Sequence, residues 1–238
     1  MKTMTLRLAF LGAAALATLA TSSAAQNASR RATQPAANWA NAVVERDNGH
    51  LFGNPDAART LVEYMSYTCS HCAEFARTGE PLIKLFVVPK GEASFQIRHL
   101  LRDPIDLTAA LLTHCGAPAN FLGNHEAILR GQPTWMAAAR KATQAQRTRW
   151  SFGTNAARQR AIASDLGFYG IMEARGYTRP ALDRCLSDQA KAKALAETSA
   201  RDVEALKIPG TPSFVLDGKL LEGVHSWEAL KPVVETLD

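Results

Sequence analysis

The chain has 238 residues, of which 47% are hydrophobic and 21% are charged, so it can bury a full core without disulfides or metals to hold it together. Its formal charge is +5, but the basic residues are mixed with acids and form no stripe, which argues against a nucleic-acid-binding protein. No fixed period repeats along the chain, which excludes a solenoid.

The first part of the chain has the pattern of a secretory signal followed by a leader. Two basic residues precede an apolar run at 8–20, and small residues that suit a signal peptidase follow at 23–25. We therefore expect residues 1–25 to be a cleaved signal peptide, and the small, polar residues 26–38 to form a flexible leader. A retained membrane anchor is the alternative, although an apolar run of about thirteen residues is short for a bilayer.

Three strands are predicted before the first helix. Residues 39–46 and 50–52 are expected to pair around an Asp-Asn-Gly turn. A β-rich apolar run at 60–67 then predicts a buried strand. From Cys72 onwards the apolar residues recur with the period of a helix, which Pro81 is expected to bend.

The sequence Cys69-Ser-His-Cys72 lies where this strand turns into the helix. Cys69 would then occupy the helix N-terminus, where free backbone N–H groups and the helix dipole favour a thiolate. We therefore identify Cys69 as the candidate nucleophile and Cys72 as its resolving partner. The alternatives are half of a zinc site, which needs further clustered ligands, and a structural disulfide, which leaves Glu63 in the preceding strand unexplained.

A helical block follows one further strand, which is predicted at 94–101. Asp103 is a candidate N-cap with Pro104 in the first turn. Ala-rich sequence then predicts several short helices and a longer one at 188–207. The remaining predicted elements are a hairpin at 211–221 with Asp217-Gly218 as its turn, and a helix at 227–237 capped by Ser226. This order implies a mixed sheet with helices on its faces.

The other cysteines and histidines carry weaker signals. Export favours pairing of thiols, so Cys115 and Cys185 are expected to form a second bridge worth roughly 4 kcal/mol. The alternative is that both are small buried apolar residues. Five histidines receive no role and are expected at the surface or in ordinary hydrogen bonds: His50, His99, His114, His125 and His225.

Several of these features together resemble the DsbA-like thiol:disulfide oxidoreductases. They are Glu63 six positions before Cys69, the Cys-Ser-His-Cys motif, the bent helix, the helical block, and Thr211-Pro212 before a hairpin. The resemblance covers residues 39–238. It implies an α/β thioredoxin fold, a central mixed sheet flanked by helices, with a large inserted α-helical domain. The thioredoxin domain would comprise residues 39–103 and 188–238, and the insertion residues 104–187.

The resemblance also implies roles for residues around the cysteines. Pro212 would be cis and face the cysteine pair, so that the Thr211 backbone can pair with an extended substrate peptide; alternatively, Pro212 merely begins a strand. Ser70 stands where the strongest oxidants of the family often have proline, and Ser70 and Thr211 occupy positions that tune redox potential and partner choice.

Two titratable residues complete the candidate site. The His71 side chain can donate a hydrogen bond to the Cys69 thiolate or add positive charge when protonated; the alternative is a solvent-facing histidine without a partner. Glu63 resembles the buried acid that helps to move protons at the second cysteine in this family. Burial raises the pKa of a carboxyl group, so Glu63 could accept a proton from Cys72. A glutamate on an edge strand in water is the alternative.

These residues predict an exported, periplasmic oxidase of protein thiols that needs no metal or organic cofactor. Its substrates would be reduced, unfolded exported proteins, and the resemblance implies recycling by a quinone-linked membrane oxidase. A monomer is expected, because the segment between the signal and His50 is too short for the N-terminal dimerisation domain of related isomerases. The alternatives are a disulfide isomerase or reductase, and a non-catalytic metal-binding protein that uses Cys69, His71 and Cys72.

Overall fold

The computed structural model describes residues 38–237. The predicted signal peptide and all but the last residue of the predicted leader lie outside the described residues. Within the described range, no helix combines the length and apolarity that crossing a bilayer requires.

A six-stranded sheet forms the centre of the fold, with strand order β1-β2-β4-β3-β5-β6. β3 and β4 are parallel, and the other neighbouring pairs are antiparallel, so the predicted mixed sheet is confirmed. The parallel pair needs a crossover, which the first two helices supply. The strands are β1 Val43–Arg46, β2 Gly49–Phe52, β3 Arg59–Met65, β4 Ala93–His99, β5 Ser213–Leu216 and β6 Lys219–Leu220.

The described residues form eleven α-helices, seven of them between β4 and the long helix α10. They are α1 Ser70–Thr78, α2 Glu80–Phe86, α3 Pro104–Thr113, α4 Phe121–Arg130, α5 Gln132–Arg140, α6 Gln144–Ser151, α7 Asn155–Asp165, α8 Phe168–Glu173, α9 Arg179–Leu186, α10 Gln189–Leu206 and α11 Trp227–Val234. The predicted cap of α3 is confirmed, because Asp103 accepts hydrogen bonds from the backbone N–H groups of Ile105 and Asp106.

The first hairpin is shorter than predicted at its start. Residues Trp39–Asn41 form one turn of 3₁₀-helix rather than strand, because the Asn38 side chain accepts a hydrogen bond from Ala40 N. The turn itself is as predicted: Asp47 and Asn48 have φ values of 51° and 55°, the left-handed pair that a two-residue type I′ turn requires.

The predicted bend in the first helix is a complete break between α1 and α2. Gly79 closes α1 by donating its N–H to Phe75 O at 2.8 Å. A Cβ at position 79 would lie 2.3 Å from the Phe75 ring, so any other residue would have to displace this buried ring. Pro81 follows in the first turn of α2, where its missing N–H costs nothing.

The two faces of β3 pack against different layers, because successive side chains point to opposite sides of a strand. Leu61 and Met65 belong to the main core with α1, α3 and α4, and Glu63, which lies between them at the same two-residue spacing, points to the same face. Val62 and Tyr64 form a smaller cluster with Ile208 on the opposite face. The strand therefore directs Glu63 towards the main core.

A disulfide ties two helices of the block together. Cys115, just after α3, is bonded to Cys185 in α9, with 5.7 Å between their Cα atoms. The bridge closes a loop of 70 residues.

Candidate active site

Cys69 is the N-cap of α1, in extended backbone conformation. It lies two residues beyond the buried Tyr67, so the segment that follows β3 places Cys69 at the N-terminus of α1. Cys69 is 6% exposed and Cys72, one turn further, is 1% exposed. Both are free thiols in this structure, so it describes the reduced pair.

The environments of the two sulfurs move their pKa values in opposite directions. The pKa of Cys69 is lowered from 9.0 to about 5, chiefly because the Cys72 thiol donates a hydrogen bond to the thiolate. This outweighs burial, and the Thr211 side chain and the backbone N–H groups of Cys72 and His71 add to it. Burial, followed by the hydrogen bond to Cys69, raises the pKa of Cys72. Cys69 is thus the ionised sulfur and Cys72 the protonated one.

The two residues between the cysteines are both exposed. Ser70 is the first residue of α1. The contribution of His71 to the Cys69 thiolate comes from its backbone N–H; the exposed side chain faces solvent or an incoming partner. Backbone N–H groups at the helix N-terminus therefore stabilise the Cys69 thiolate, as we had expected the His71 imidazole to do.

Thr211 and Pro212 lie beside Cys69, although they are more than 140 positions away in sequence. The peptide bond between them is cis, as the resemblance implies. Cys69 Sγ lies 3.2 Å from Thr211 O, to which the thiol donates a hydrogen bond when it is protonated. Pro212 O contacts His225 Nδ1 at 2.8 Å, which fixes the segment from its other side.

Glu63 lies in the middle of β3, which is paired on both sides, so the edge-strand alternative is wrong. Its side chain is fully buried, and neither carboxyl oxygen has a hydrogen-bond partner among the described residues. Burial raises the pKa of Glu63, and the charges of Glu80 and Cys69 raise it further against the opposing effect of Lys84. Glu63 is therefore a neutral acid next to the cysteine pair.

A second buried acid, Glu80, was not identified from the sequence. Its carboxylate contacts His125 Nε2 at 3.0 Å and Lys84 Nζ at 3.4 Å. Burial raises the pKa of Glu80, but His125 and Lys84 more than offset this, so the net shift is downwards. Tyr67 extends the network, with its hydroxyl 3.0 Å from His125 Nδ1. Of the two buried acids, Glu80 carries the charge and Glu63 the proton.

The loop that leads to Cys69 is held by two side chains from the helical block. Asp106 of α3 accepts hydrogen bonds from Ser66 Oγ, at 2.8 and 2.9 Å, and from Thr68 N at 3.0 Å. Gln132 of α5 donates from Nε2 to Tyr67 O at 2.7 Å and to Cys69 O at 2.9 Å. Both are positioning residues that the sequence analysis missed. Asp106 did carry a signal, as an acid within an otherwise apolar helix, whereas Gln132 carried none.

Four of the five histidines to which the sequence analysis gave no role have buried side chains, and three of them, His99, His114 and His125, make the hydrogen bonds expected as the alternative to a surface position. His50, His99 and His125 are at most 5% exposed, and the His114 side chain is 2% exposed. They come from β2, β4, the end of α3 and α4, and only the assembled fold brings them together.

Comparisons with known proteins agree on the family. A family model described as "Thioredoxin" matches residues 45–236. A crystal structure of protein-disulfide isomerase from Novosphingobium aromaticivorans is 45% identical, with a TM-score of 0.77 over 82% of this chain and 100% of that one. Wolbachia pipientis α-DsbA1 has a TM-score of 0.63 at 21% identity over 82% of this chain and 92% of that one, which supports the fold.

Two curated relatives are provisionally named protein-disulfide oxidoreductases. They come from Rickettsia bellii and Rickettsia prowazekii and are 28% and 29% identical over 72% and 81% of this chain. The matches span 58% and 62% of those relatives' own lengths, so the chain corresponds to about three fifths of each. With the family model covering most of the chain and the cysteine pair at the expected strand–helix junction, the chain belongs to the thioredoxin family.

Proposed function

We propose that this protein is an exported oxidase that donates the Cys69–Cys72 disulfide to reduced, unfolded proteins. The observation that carries the proposal is the opposite displacement of the two thiol pKa values, to about 5 for Cys69 and upwards for Cys72. A reduced pair with one stabilised thiolate gives up its electrons less readily, so its disulfide is the stronger oxidant.

The first step is attack of a substrate thiolate on the Cys69 sulfur of the enzyme disulfide. A bond forms between the substrate sulfur and Cys69, and the Cys69–Cys72 bond breaks with its electron pair on Cys72. Cys72 is buried with a raised pKa, so it leaves as a thiol if a proton is supplied. Neutral Glu63 is the group placed to supply that proton, and to take one back from Cys72 when the pair is reoxidised.

The second step releases the product. Another thiolate of the substrate attacks the substrate sulfur of the mixed disulfide, so that the substrate gains a disulfide and Cys69 leaves as a thiolate. The substrate loses two electrons and the enzyme disulfide gains them. Because the Cys69 thiolate is stable near neutral pH, it is a good leaving group.

The exposed surface around the pair suits an extended peptide. Thr211 O lies 3.2 Å from Cys69 Sγ, where a backbone N–H of a bound substrate could donate to it once the thiolate has formed. Ser70 and His71 are exposed beside it and are proposed to contact the partner rather than to take part in proton transfer.

Isomerisation is the second candidate, because the 45% identical structure from Novosphingobium aromaticivorans is described as a protein-disulfide isomerase. The same Cys69 thiolate, in the reduced enzyme, would attack a wrong substrate disulfide. A metal-binding role for Cys69, His71 and Cys72 is less well supported, because Cys72 is 1% exposed while His71 faces outwards. Periplasmic location, a monomeric state and recycling by a quinone-linked membrane oxidase complete the proposal.

A direct test mixes the oxidised protein with a reduced, unfolded protein that contains several cysteines. Loss of substrate thiols is expected with the wild type and not with Cys69→Ser. A mixed disulfide is expected to accumulate when the reduced Cys72→Ser variant meets an oxidised substrate, because the resolving thiol is absent. Equal oxidation by wild type and Cys69→Ser would overturn the assignment. Preferential repair of a scrambled substrate by the reduced protein would favour the isomerase.

A further inference from the structure

We propose that Glu45, His50 and His114 form a binding site for a divalent transition-metal cation such as Zn²⁺, independent of the cysteine pair. The site lies between the first hairpin and the end of α3, with α10 beside it. Two imidazoles and one carboxylate are a ligand set that zinc accepts, with a further position left for water.

The fold brings the three ligands together from two directions. Glu45 and His50 are directly opposite each other on β1 and β2, so their side chains lie on the same face of the hairpin. His114, the C-cap of α3, approaches that face. One nitrogen of each imidazole and one carboxylate oxygen all lie within 4.8 Å of one another.

These distances are close to those of a bound metal. Ligands that each lie about 2.1 Å from a tetrahedral zinc are roughly 3.4 Å from one another, and His114 Nδ1 is 3.8 Å from Glu45 Oε1. The carboxylate is the part that can close the gap, because the Glu45 side chain is 36% exposed. The imidazoles are almost completely covered by the surrounding residues.

Two of the proposed ligands present buried nitrogens without hydrogen-bond partners. His50 Nδ1 and His114 Nδ1 are both buried, and neither has a partner among the described residues. An unpaired buried polar atom costs free energy, roughly 1–3 kcal/mol. A cation bound to these lone pairs would satisfy both atoms at once.

The surroundings hold both rings in place. His50 stacks on Phe121, with ring centres 3.8 Å apart and planes 9° apart. His114 Nε2 is 3.0 Å from His99 Nε2. A metal on His114 Nδ1 would place the ring proton on Nε2, which would then donate to His99, and such a second hydrogen bond is what usually orients a metal-bound histidine.

The imidazoles are also neutral, as metal ligands must be. Burial, followed by the charge of Lys191 and then His125, lowers the pKa of His50 to about 3. Burial also lowers the pKa of His114, with His99, His50 and Lys191 acting in the same direction.

Lys191 of α10 provides a test of the proposal, because its ammonium group is ion-paired with the Glu45 carboxylate in this structure. A metal ion would have to share or displace this partner of the carboxylate. Removing the Lys191 charge should therefore tighten binding, by about tenfold for the loss of one nearby like charge. Removing the Glu45 charge should weaken binding at least tenfold.

The test titrates ZnCl₂ into the mature, untagged protein by calorimetry near neutral pH, with Cys69 and Cys72 oxidised so that they cannot bind zinc. Binding of one zinc ion is expected for the wild type, weaker binding for Glu45→Gln and His114→Gln, and tighter binding for Lys191→Gln. Glu204→Gln and Lys207→Gln are matched controls, because this exposed pair in and just beyond α10 is also in contact, at 2.6 Å. Both controls should bind zinc as the wild type does.

Glu45→Gln and Lys191→Gln change partly exposed side chains and should fold normally, so the test stands even if His114→Gln does not fold. Co²⁺ in place of Zn²⁺ should give the visible absorption of a four-coordinate nitrogen and oxygen site, and that spectrum should be lost in Glu45→Gln. The proposal is overturned if the oxidised protein binds no zinc at millimolar concentration, or if Glu45→Gln and Lys191→Gln bind it as the wild type does.

Discussion

Acidification should selectively destabilise the reduced form of this protein. The pKa of Cys69 is about 5 in the folded, reduced state, and that of an unfolded cysteine is about 8.5. Because the folded pKa is the lower one, the thiolate contributes its full stability above pH ~8.5. The contribution falls as the pH drops and is gone below the folded pKa. The oxidised form has no thiol to titrate and lacks this contribution at every pH.

The size of the effect follows from the pKa displacement. At about pH 7 the folded thiol is two units above its pKa and the unfolded thiol is still protonated, which gives at most about 2.7 kcal/mol. Cys69 lies at a site mouth that solvent partly screens, so we expect between about 1.4 and 2.7 kcal/mol. The same free energy makes the disulfide roughly 30 to 60 mV more oxidising than a pair without the displaced pKa.

Urea unfolding of the reduced and oxidised proteins, near pH 7 and near pH 4, measures this contribution. The two forms share almost all other titrating groups, so the difference between their unfolding free energies isolates the cysteine pair. Reduced Cys69→Ser is the matched control and should show no corresponding loss on acidification. Ultraviolet absorbance of the thiolate gives the pKa directly. A Cys69 thiolate that titrates near 8.5, or a reduced-minus-oxidised difference that stays constant with pH, would refute the reasoning.

Three variants test the buried acid, the support of the loop before Cys69, and the disulfide of the helical block. Glu63→Leu should raise the free energy of unfolding by about 1–3 kcal/mol, because it removes an unpartnered buried carboxyl, and should slow reduction of the enzyme disulfide in stopped-flow measurements; a destabilised variant with normal kinetics would contradict both roles. Asp106→Asn should cost about 2 kcal/mol and lower the oxidation rate, because it loosens the loop before Cys69; an unchanged rate would show that the loop needs no such support. Cys115→Ser combined with Cys185→Ser should lower the free energy of unfolding in urea by roughly 4 kcal/mol and leave the pKa of Cys69 unchanged. An unaltered unfolding midpoint would show that the bridge does not stabilise the fold.

The parts of the fold that local sequence controls were predictable. The Asp47-Asn48 turn, the Asp103 cap and the hairpin turn at Asp217, where φ is 50°, each depend on residues within a few positions of one another. The strand–helix junction that carries Cys69 was predictable for the same reason, since a change in apolar period marks it.

The parts that depend on long-range packing were not predictable. Gln132 reaches the carbonyl of Cys69 from 63 positions away, and nothing in its neighbourhood marks it as a positioning residue. His114 meets Glu45 only because α3 ends against the first hairpin. The burial of Glu80 follows from the break at Gly79, which the sequence showed as a bend without revealing which way the second half would point.

Asp106 and Gln132 of the helical block hold the loop before Cys69 in place. The helical block is therefore part of the candidate active site and not only an addition to the sheet and its flanking helices. Trimming the chain to its sheet and flanking helices would keep both cysteines but free the peptide that aims them. Any chimera that exchanges this block for another must therefore reproduce an acid and an amide at those two places, or the nucleophile will lose its alignment.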